Sequence, residues 1–391
     1  MVDPHVTSLT AVVSRFPAPS QTFILRKLTG LRDAGLDVRV ATTVLGDARP
    51  TGLPVTGLLP WGTPTQVLEP AGRRAWAQVA RGLRSAGPAS LRSPVDAMVQ
   101  APVAAMDTDW VHFEFSGIAI TYARAVESLR SRGVRIGLSC RGAAEQIEPL
   151  VDPRRAALLR EAFERADLIH CVSDDMRRTV EGFGAPPERI LVNRPAVPVA
   201  DFAPLRRSTP RESGPLRVLS VGRLHWKKGL DDGLRAVAGA RDRGVDIEYR
   251  IVGEGDERDK LTFLIDELGL NGRAELLGAR DQTAVREELE RTDVLLLPSL
   301  SEGISNAVLE AMAAGRTVVT TRCGGMEEVV EHDVDGILVD VGDHDTMAEH
   351  LAALAGEPGR RQQLAEGAAV RADLDLDLSR QIRLFREVYE R

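Results

Sequence analysis

The sequence predicts an α/β protein made of two parallel-sheet domains in tandem. Short apolar runs alternate with amphipathic helical stretches along most of the chain, which is the pattern of repeated βαβ units. At 391 residues the chain is long for one such core and suits two of moderate size. From Asp201 to Pro215 it turns polar, with the run RRSTPRESG and no apolar period, which reads as a linker. The expected division is 1–200, a linker over 201–215, a second domain over 216–372 and a terminal segment over 373–391.

In the first half, Leu9–Val13 reads as a strand, followed by the loop 14–20 and a helix from Gln21 to Ala34. Ser20 suits its N-cap, and Phe23, Ile24 and Leu28 form its apolar face. Val38–Thr42 completes a βαβ start. Ligands of such sheets sit off the carboxyl ends of the strands, so the loop carrying Ser20 is expected at a site. The stretch 45–105 is the least legible, with Pro- and Gly-rich pieces near 50–64 and two helices expected after Glu69. Trp110–Phe115 and Val134–Ser139 follow as successive strands bearing His112, Glu114 and, just beyond, Arg141. Successive parallel strands are usually neighbours, which places Glu114 and Arg141 ~5 Å apart as an ion pair. His112 reads equally well as a core histidine hydrogen-bonded to backbone. Asp167–Val172, with Ser173 capping the next helix, and Ile190–Val192 close this half.

The second half opens on the strand Leu216–Val221, the turn Gly222 to Gly229 and a helix over Leu230–Arg241. Tyr249–Val252 runs into Gly253-Glu254-Gly255 and a helix over Arg258–Leu268; Ala274–Leu277 runs into Gly278. Val294–Leu297 is a strand bounded by Pro298, and from Ser305 the apolar spacing becomes helical through Val308, Leu309 and Met312. Thr317–Thr320 is a further strand. Ser379–Tyr389 is a last amphipathic helix with Phe385 and Tyr389 as its anchors.

The stretch 294–315 carries the chemistry. Free N–H groups at the helix start, around Ile304 to Ala307, favour an anion. Glu302 in the loop and Glu310 in the helix flank that seat, and carboxylates accept hydrogen bonds from sugar hydroxyls. A nucleotide sugar combines those groups. The turn after Leu216–Val221 adds Arg223, Lys227 and Lys228. Lysine occurs at four positions against 46 arginines, so two adjacent lysines stand out from the background.

Composition excludes several classes. At 43% hydrophobic and 27% charged, the chain is that of an ordinary globular protein. No apolar run approaches the ~20 residues of a membrane helix and no secretory signal opens the chain, so it is expected in the cytoplasm. Residues 1–200 carry 24 Lys/Arg against 20 Asp/Glu and residues 201–391 carry 26 against 37. The mildly basic first half is compatible with peripheral contact at the inner membrane face; nucleic acid is not indicated. Cys140, Cys171 and Cys323 suggest neither disulfides nor zinc. Arg258 stands at the third glycine position after Gly253 and Gly255, which argues against a dehydrogenase. Asp373, Asp375 and Asp377 precede the last helix, far from any sheet edge, and no metal is expected there.

The run from Glu302 to Gly315, with Glu302-Gly303, Leu309-Glu310-Ala311 and Ala314-Gly315, resembles the E-x7-E segment of the retaining GT-B glycosyltransferases of family 4. Gly222-Arg223-Leu224 with Lys228-Gly229 resembles the V-G-R-L-x-x-x-K-G loop of that family, Leu277-Gly278 its L-G-x-x loop, and Cys323-Gly324-Gly325 with Glu328 its Gly-Gly-x-x-Glu turn. Phe16 to Phe23 resembles the N-terminal loop of exopolysaccharide and colanic-acid type members. The chain departs from the pattern at Glu114 and Arg141, where histidines are usual.

The resemblance implies the GT-B fold, two Rossmann-like domains facing across a cleft with the last helix crossing back to the first. It implies transfer of a sugar from a nucleoside diphosphate to an acceptor hydroxyl with retention, without a metal or other cofactor. Arg223 and Lys228 would stabilise the diphosphate, Glu302 would hold the sugar and Glu310 the ribose, with Gly303, Ile304, Ser305, Asn306, Gly253, Leu277 and Gly278 completing the donor site. Ser20, His112, Glu114 and Arg141 would lie on the acceptor side. The acceptor is a glycan, a lipid-linked glycan or a small natural product. A phosphorylase or epimerase on the same fold, or a non-catalytic sugar-nucleotide binder, is the alternative reading.

Overall fold

The computed structural model describes residues 6–18, 21–46, 51–58, 94–206 and 213–391. The chain forms two compact units, one of residues 1–193 with Gln381–Arg391, the other of Arg194–Arg380.

The first unit is a seven-stranded parallel sheet in the order β3-β2-β1-β4-β5-β6-β7. Its strands are β1 (Ser8–Phe16), β2 (Asp37–Leu45), β3 (Val55–Gly57), β4 (Trp110–Phe113), β5 (Arg135–Cys140), β6 (Leu168–Cys171) and β7 (Ile190–Val192). β4 and β5 are wholly or almost wholly buried, as expected of central parallel strands covered by helices on both faces. The helix after β1 spans Thr22–Asp33 with Gln21 as its N-cap and no side-chain cap, and Ser20 lies outside the described residues. Most of the stretch expected to hold two helices after Glu69 lies outside them as well; a helix over Pro94–Ala104 is described. Ser173 does cap its helix, accepting from the N–H of Met176.

The second unit is a six-stranded parallel sheet in the order β10-β9-β8-β11-β12-β13. Here β8 is Leu216–Val221, β9 Ile247–Val252, β10 Ala274–Gly278, β11 Val294–Leu297, β12 Thr317–Thr321 and β13 Ile337–Val339. Each sheet is a Rossmann-like array whose central pair, β1–β4 and β8–β11, marks where the strand order reverses.

The boundary falls earlier than the polar composition of 201–215 suggests. Phe202 is buried in the second unit's core beneath the guanidinium of Arg286, 5.2 Å from the ring centroid. Arg206 donates to the carbonyl of Ala313 at 3.0 Å and pairs with Asp373 at 2.9 Å. The alternating aspartates are occupied in the same way: Asp375 pairs with Arg380 at 2.9 Å, and Asp377 accepts from the N–H of Ser379 at 2.9 Å.

The last helix, Leu378–Tyr389, buries Ile382, Phe385 and Tyr389, the latter two completely, and these three face the first unit. Full burial of such a side chain stabilises by roughly 1.5–3 kcal/mol. Among the described residues no helix is long and apolar enough to cross a membrane.

Candidate active site

Five loops meet at the carboxyl ends of the second unit's strands. The turn after β8 runs through a short 3₁₀ segment, Trp226–Lys228, to Gly229 and the helix Leu230–Asp242. The carbonyl of Lys227 accepts from the N–H of Leu300 at 2.7 Å, which ties this turn to the loop after β11. The ammonium of Lys228 is ion-paired with Glu302, and Ser299 donates to the same carboxylate oxygen at 3.0 Å. Arg223 is exposed and has no ion-pair partner among the described residues.

Two glycines let the loops approach this closely. A Cβ on Gly253 would stand 1.8 Å from the carbonyl oxygen of Gly222, and one on Gly324 would stand 1.8 Å from that of Glu302. Both have positive φ, which other residues rarely adopt. The N–H of Gly253 donates to the carbonyl of Gly278 at 3.0 Å, so the loops after β8, β9 and β10 are stitched together by backbone. Leu277 turns its side chain into the core and offers this site only its backbone.

The helix Asn306–Ala313 starts beside the Lys228–Glu302 pair, with Ser305 as its N-cap. Its first-turn N–H groups at Asn306, Ala307 and Val308 find no acceptor among the described residues, as expected of a helix start. The Oδ1 of Asn306 is buried without a hydrogen-bond partner there. Glu310 is half-buried on the same helix. The structure thus brings Lys228, Glu302, Gly303, Ile304, Ser305 and Asn306 together at the start of this helix, and Arg223 lies in the same turn after β8 as Lys228. Cys323 lies near Glu302, and burial pushes its thiol up to about 11, so it is no thiolate nucleophile at neutral pH.

In the first unit, Glu114 and Arg141 directly follow the neighbouring strands β4 and β5 and form the expected pair at 2.6 Å. Sequence reasoning missed the third member, Lys27, whose ammonium reaches the other carboxylate oxygen at 2.8 Å. The signal was available: Lys27 falls on the apolar stripe Ile24, Leu28, Leu31 of its helix. Glu114 is 0% exposed with both oxygens engaged, so it does not receive a substrate hydroxyl or amine. The two cations hold its carboxyl far below the usual carboxylate range despite the opposing effect of burial.

His112 is also fully enclosed. His170 Nε2 faces the carbonyl of Asn193 at 2.8 Å and must donate, so its Nδ1 accepts from Ser139. Ser139 then accepts from His112 Nε2 at 2.8 Å, and His112 Nδ1 accepts from the Tyr389 hydroxyl at 3.0 Å. One carbonyl therefore fixes every tautomer along the chain. His112 is a core histidine that positions its neighbours and does not contact substrate.

Burial holds His112 and His170 well below their ordinary pKa, and hence neutral. The unfolded chain takes up these protons below pH ~6.5 and the native one does not, so their contribution is intact above that pH and lost as pH falls. Each is expected to remove about 1.4 kcal/mol of stability per pH unit below ~6.5. Thermal melts between pH 7 and 5 should fall steeply in the parent and less so in His170→Gln; parallel curves would refute the assignment.

Residues 201–371 match the family described as glycosyl transferases group 1, and residues 20–196 match the glycosyl transferase 4-like domain. A glycosyltransferase assigned to colanic acid biosynthesis in Escherichia coli (strain K12) is 30% identical over 367 residues, covering 87% of this chain and 89% of that protein. The amylovoran biosynthesis glycosyltransferase of Erwinia amylovora is 28% identical, covering 98% of this chain and 99% of its own. Among solved structures, Anabaena HepE in complex with UDP-glucose superposes with a TM-score of 0.75 at 17% identity, over 98% of this chain and 99% of that one. Sucrose-phosphate synthase from Thermosynechococcus elongatus gives 0.76 at 16% identity, over 98% of each chain. With its paired Rossmann-like sheets and its E-x7-E segment, the chain belongs to the group 1 glycosyl transferases, the retaining GT-B glycosyltransferases of family 4.

Proposed function

We propose that this enzyme transfers a hexose from a uridine diphosphate sugar to a hydroxyl of an exopolysaccharide-type acceptor, with retention and without a metal ion. The Lys228–Glu302 pair beside the start of the helix Asn306–Ala313 carries the reading. An ammonium has three donors, and Glu302 takes one, leaving two for diphosphate oxygens. Arg223 and the first-turn N–H groups add to them, so the charge that grows on the leaving group is met by preorganised donors. Glu302 receives the sugar's hydroxyls as Lys228 turns toward phosphate, and Glu310 receives those of the ribose. Asn306 Oδ1 gains the partner it lacks. The uridine assignment draws on HepE, whose complex holds UDP-glucose, and the acceptor class on the colanic acid and amylovoran relatives.

With no thiolate at Cys323, departure and attack on the same face of the sugar is the step these groups serve: the C1–O bond to diphosphate breaks, and the acceptor oxygen bonds to C1 as its proton passes to the departing phosphate oxygen. The test is turnover of UDP-sugars with lipid-linked or oligosaccharide acceptors in the presence of EDTA, with the product's anomeric configuration read by NMR. Inversion, or loss of turnover in EDTA that a divalent ion restores, would overturn the mechanism. Glu310→Gln is expected to weaken UDP binding by about 1.5–3 kcal/mol through loss of a charge-assisted bond; unchanged calorimetric affinity would remove Glu310 from the ribose.

A further inference from the structure

We propose that Arg141 binds the carboxylate of an acidic sugar and so sets a preference for a uronic acid in the acceptor, an inference that rests on the glycosyl-transfer reading above. Arg141 follows β5 at the carboxyl edge of its sheet, where ligands of parallel sheets bind. Its guanidinium is fixed on one side only. Nε donates to the backbone carbonyl of Glu114 at 3.1 Å, and Nη2 donates to the Glu114 carboxylate at 2.6 Å and to Ser139 at 3.4 Å. Nη1 has no partner among the described residues, and the side chain is 12% exposed. The rings of Phe23 and Phe115 flank the cation, with centroids 4.8 and 6.0 Å away. A rigid, mostly desolvated arginine is left with one edge open between two aromatic walls.

The local charge count favours an anion at that edge. Glu114 is shared by Lys27 and Arg141, two cations on one carboxylate. Glu145, the other buried acid nearby, accepts from Ser116 and from the N–H groups of Arg141 and Gly142 at 3.2 Å each, and burial pushes its pKa up. Since Glu145 already fills these backbone donors, an incoming oxyanion meets the guanidinium edge instead. Nη1 offers donors only, and its bond to a carboxylate is stronger than its bond to a hydroxyl.

Methyl glucuronide is compared with methyl glucoside by saturation-transfer NMR in parent, Arg141→Met and Arg141→Lys, and UDP affinity is measured by calorimetry in the same three proteins. The parent should prefer the acidic glycoside by ~10-fold or more, as a charge-assisted bond implies. Arg141→Met should bring that preference to about parity, while Arg141→Lys keeps part of it. UDP affinity should be shared by all three proteins, whereas the melting temperature of Arg141→Met should fall, since Glu114 then keeps Lys27 as its partner and loses Arg141. Parity with the parent, or a preference that survives Arg141→Met, would overturn the proposal. Absence of UDP binding by the parent would instead defeat the glycosyl-transfer reading, and the methyl glycoside arm would still report on Arg141.

Discussion

Lys228→Ala is expected to lower turnover by ~10²–10³-fold while changing donor affinity far less. The leaving diphosphate gains charge as the glycosidic bond breaks, and a donor aimed at that charge acts mainly on the transition state. The ammonium is held by Glu302, so removing it costs little ground-state attraction but unseats the carboxylate, which among the described residues keeps its bond from Ser299. Lys228→Arg should not rescue fully: the side chain passes 3.2 Å from where a Cβ on Gly222 would stand, and a planar fork there does not reproduce a rotatable ammonium. Single-turnover kinetics alongside calorimetry would check this. A variant that loses binding and turnover in equal measure would place Lys228 in ground-state recognition instead.

The second large effect is on stability. Glu114→Gln leaves Lys27 and Arg141 without their counter-charge in a site where Lys27 is 3% and Glu114 0% exposed. Breaking a buried pair from one side typically costs about 3–5 kcal/mol. Lys27 already has its pKa pulled down by burial to about 8, and losing Glu114 drives it toward the neutral amine. Adding Lys27→Met should recover much of the loss, because an uncharged chain then lies against the Phe385 ring, now 4.3 Å from the ammonium. The two substitutions are expected to be strongly non-additive in urea unfolding. Additive effects would mean that the contacts do not act as one unit.

The second unit was more legible than the first, and particular residues show why. β8, β11 and the β7 segment of the first unit stand at the boundaries read from the sequence, since each is an apolar run closed by glycine, proline or asparagine. The helices His344–Gly356 and Pro358–Asp375 went unassigned, their alanine-rich faces giving weak periodic contrast. The three-residue strand β3, Val-Thr-Gly, was missed because edge pairing, not composition, makes it a strand, and β13 was missed although its Ile-Leu-Val run is the same as that of β7.

The sequence by itself determined the family and the parallel α/β class, and it supplied the donor-side candidates. These depend on short-range spacing: a strand, a turn and a helix start place Arg223, Lys228, Glu302 and Asn306 within a few residues of the elements that aim them. Tertiary structure alone decided what becomes of the first unit's polar residues. Lys27 and Glu114 are 87 positions apart, and His112 and Tyr389 are 277 apart. Whether such groups meet substrate or one another depends on which strand ends become neighbours and on the cost of burying a charge. That cost drew Lys27 to Glu114, enclosed His112 beneath Tyr389, and left Nη1 of Arg141 without a partner among the described residues.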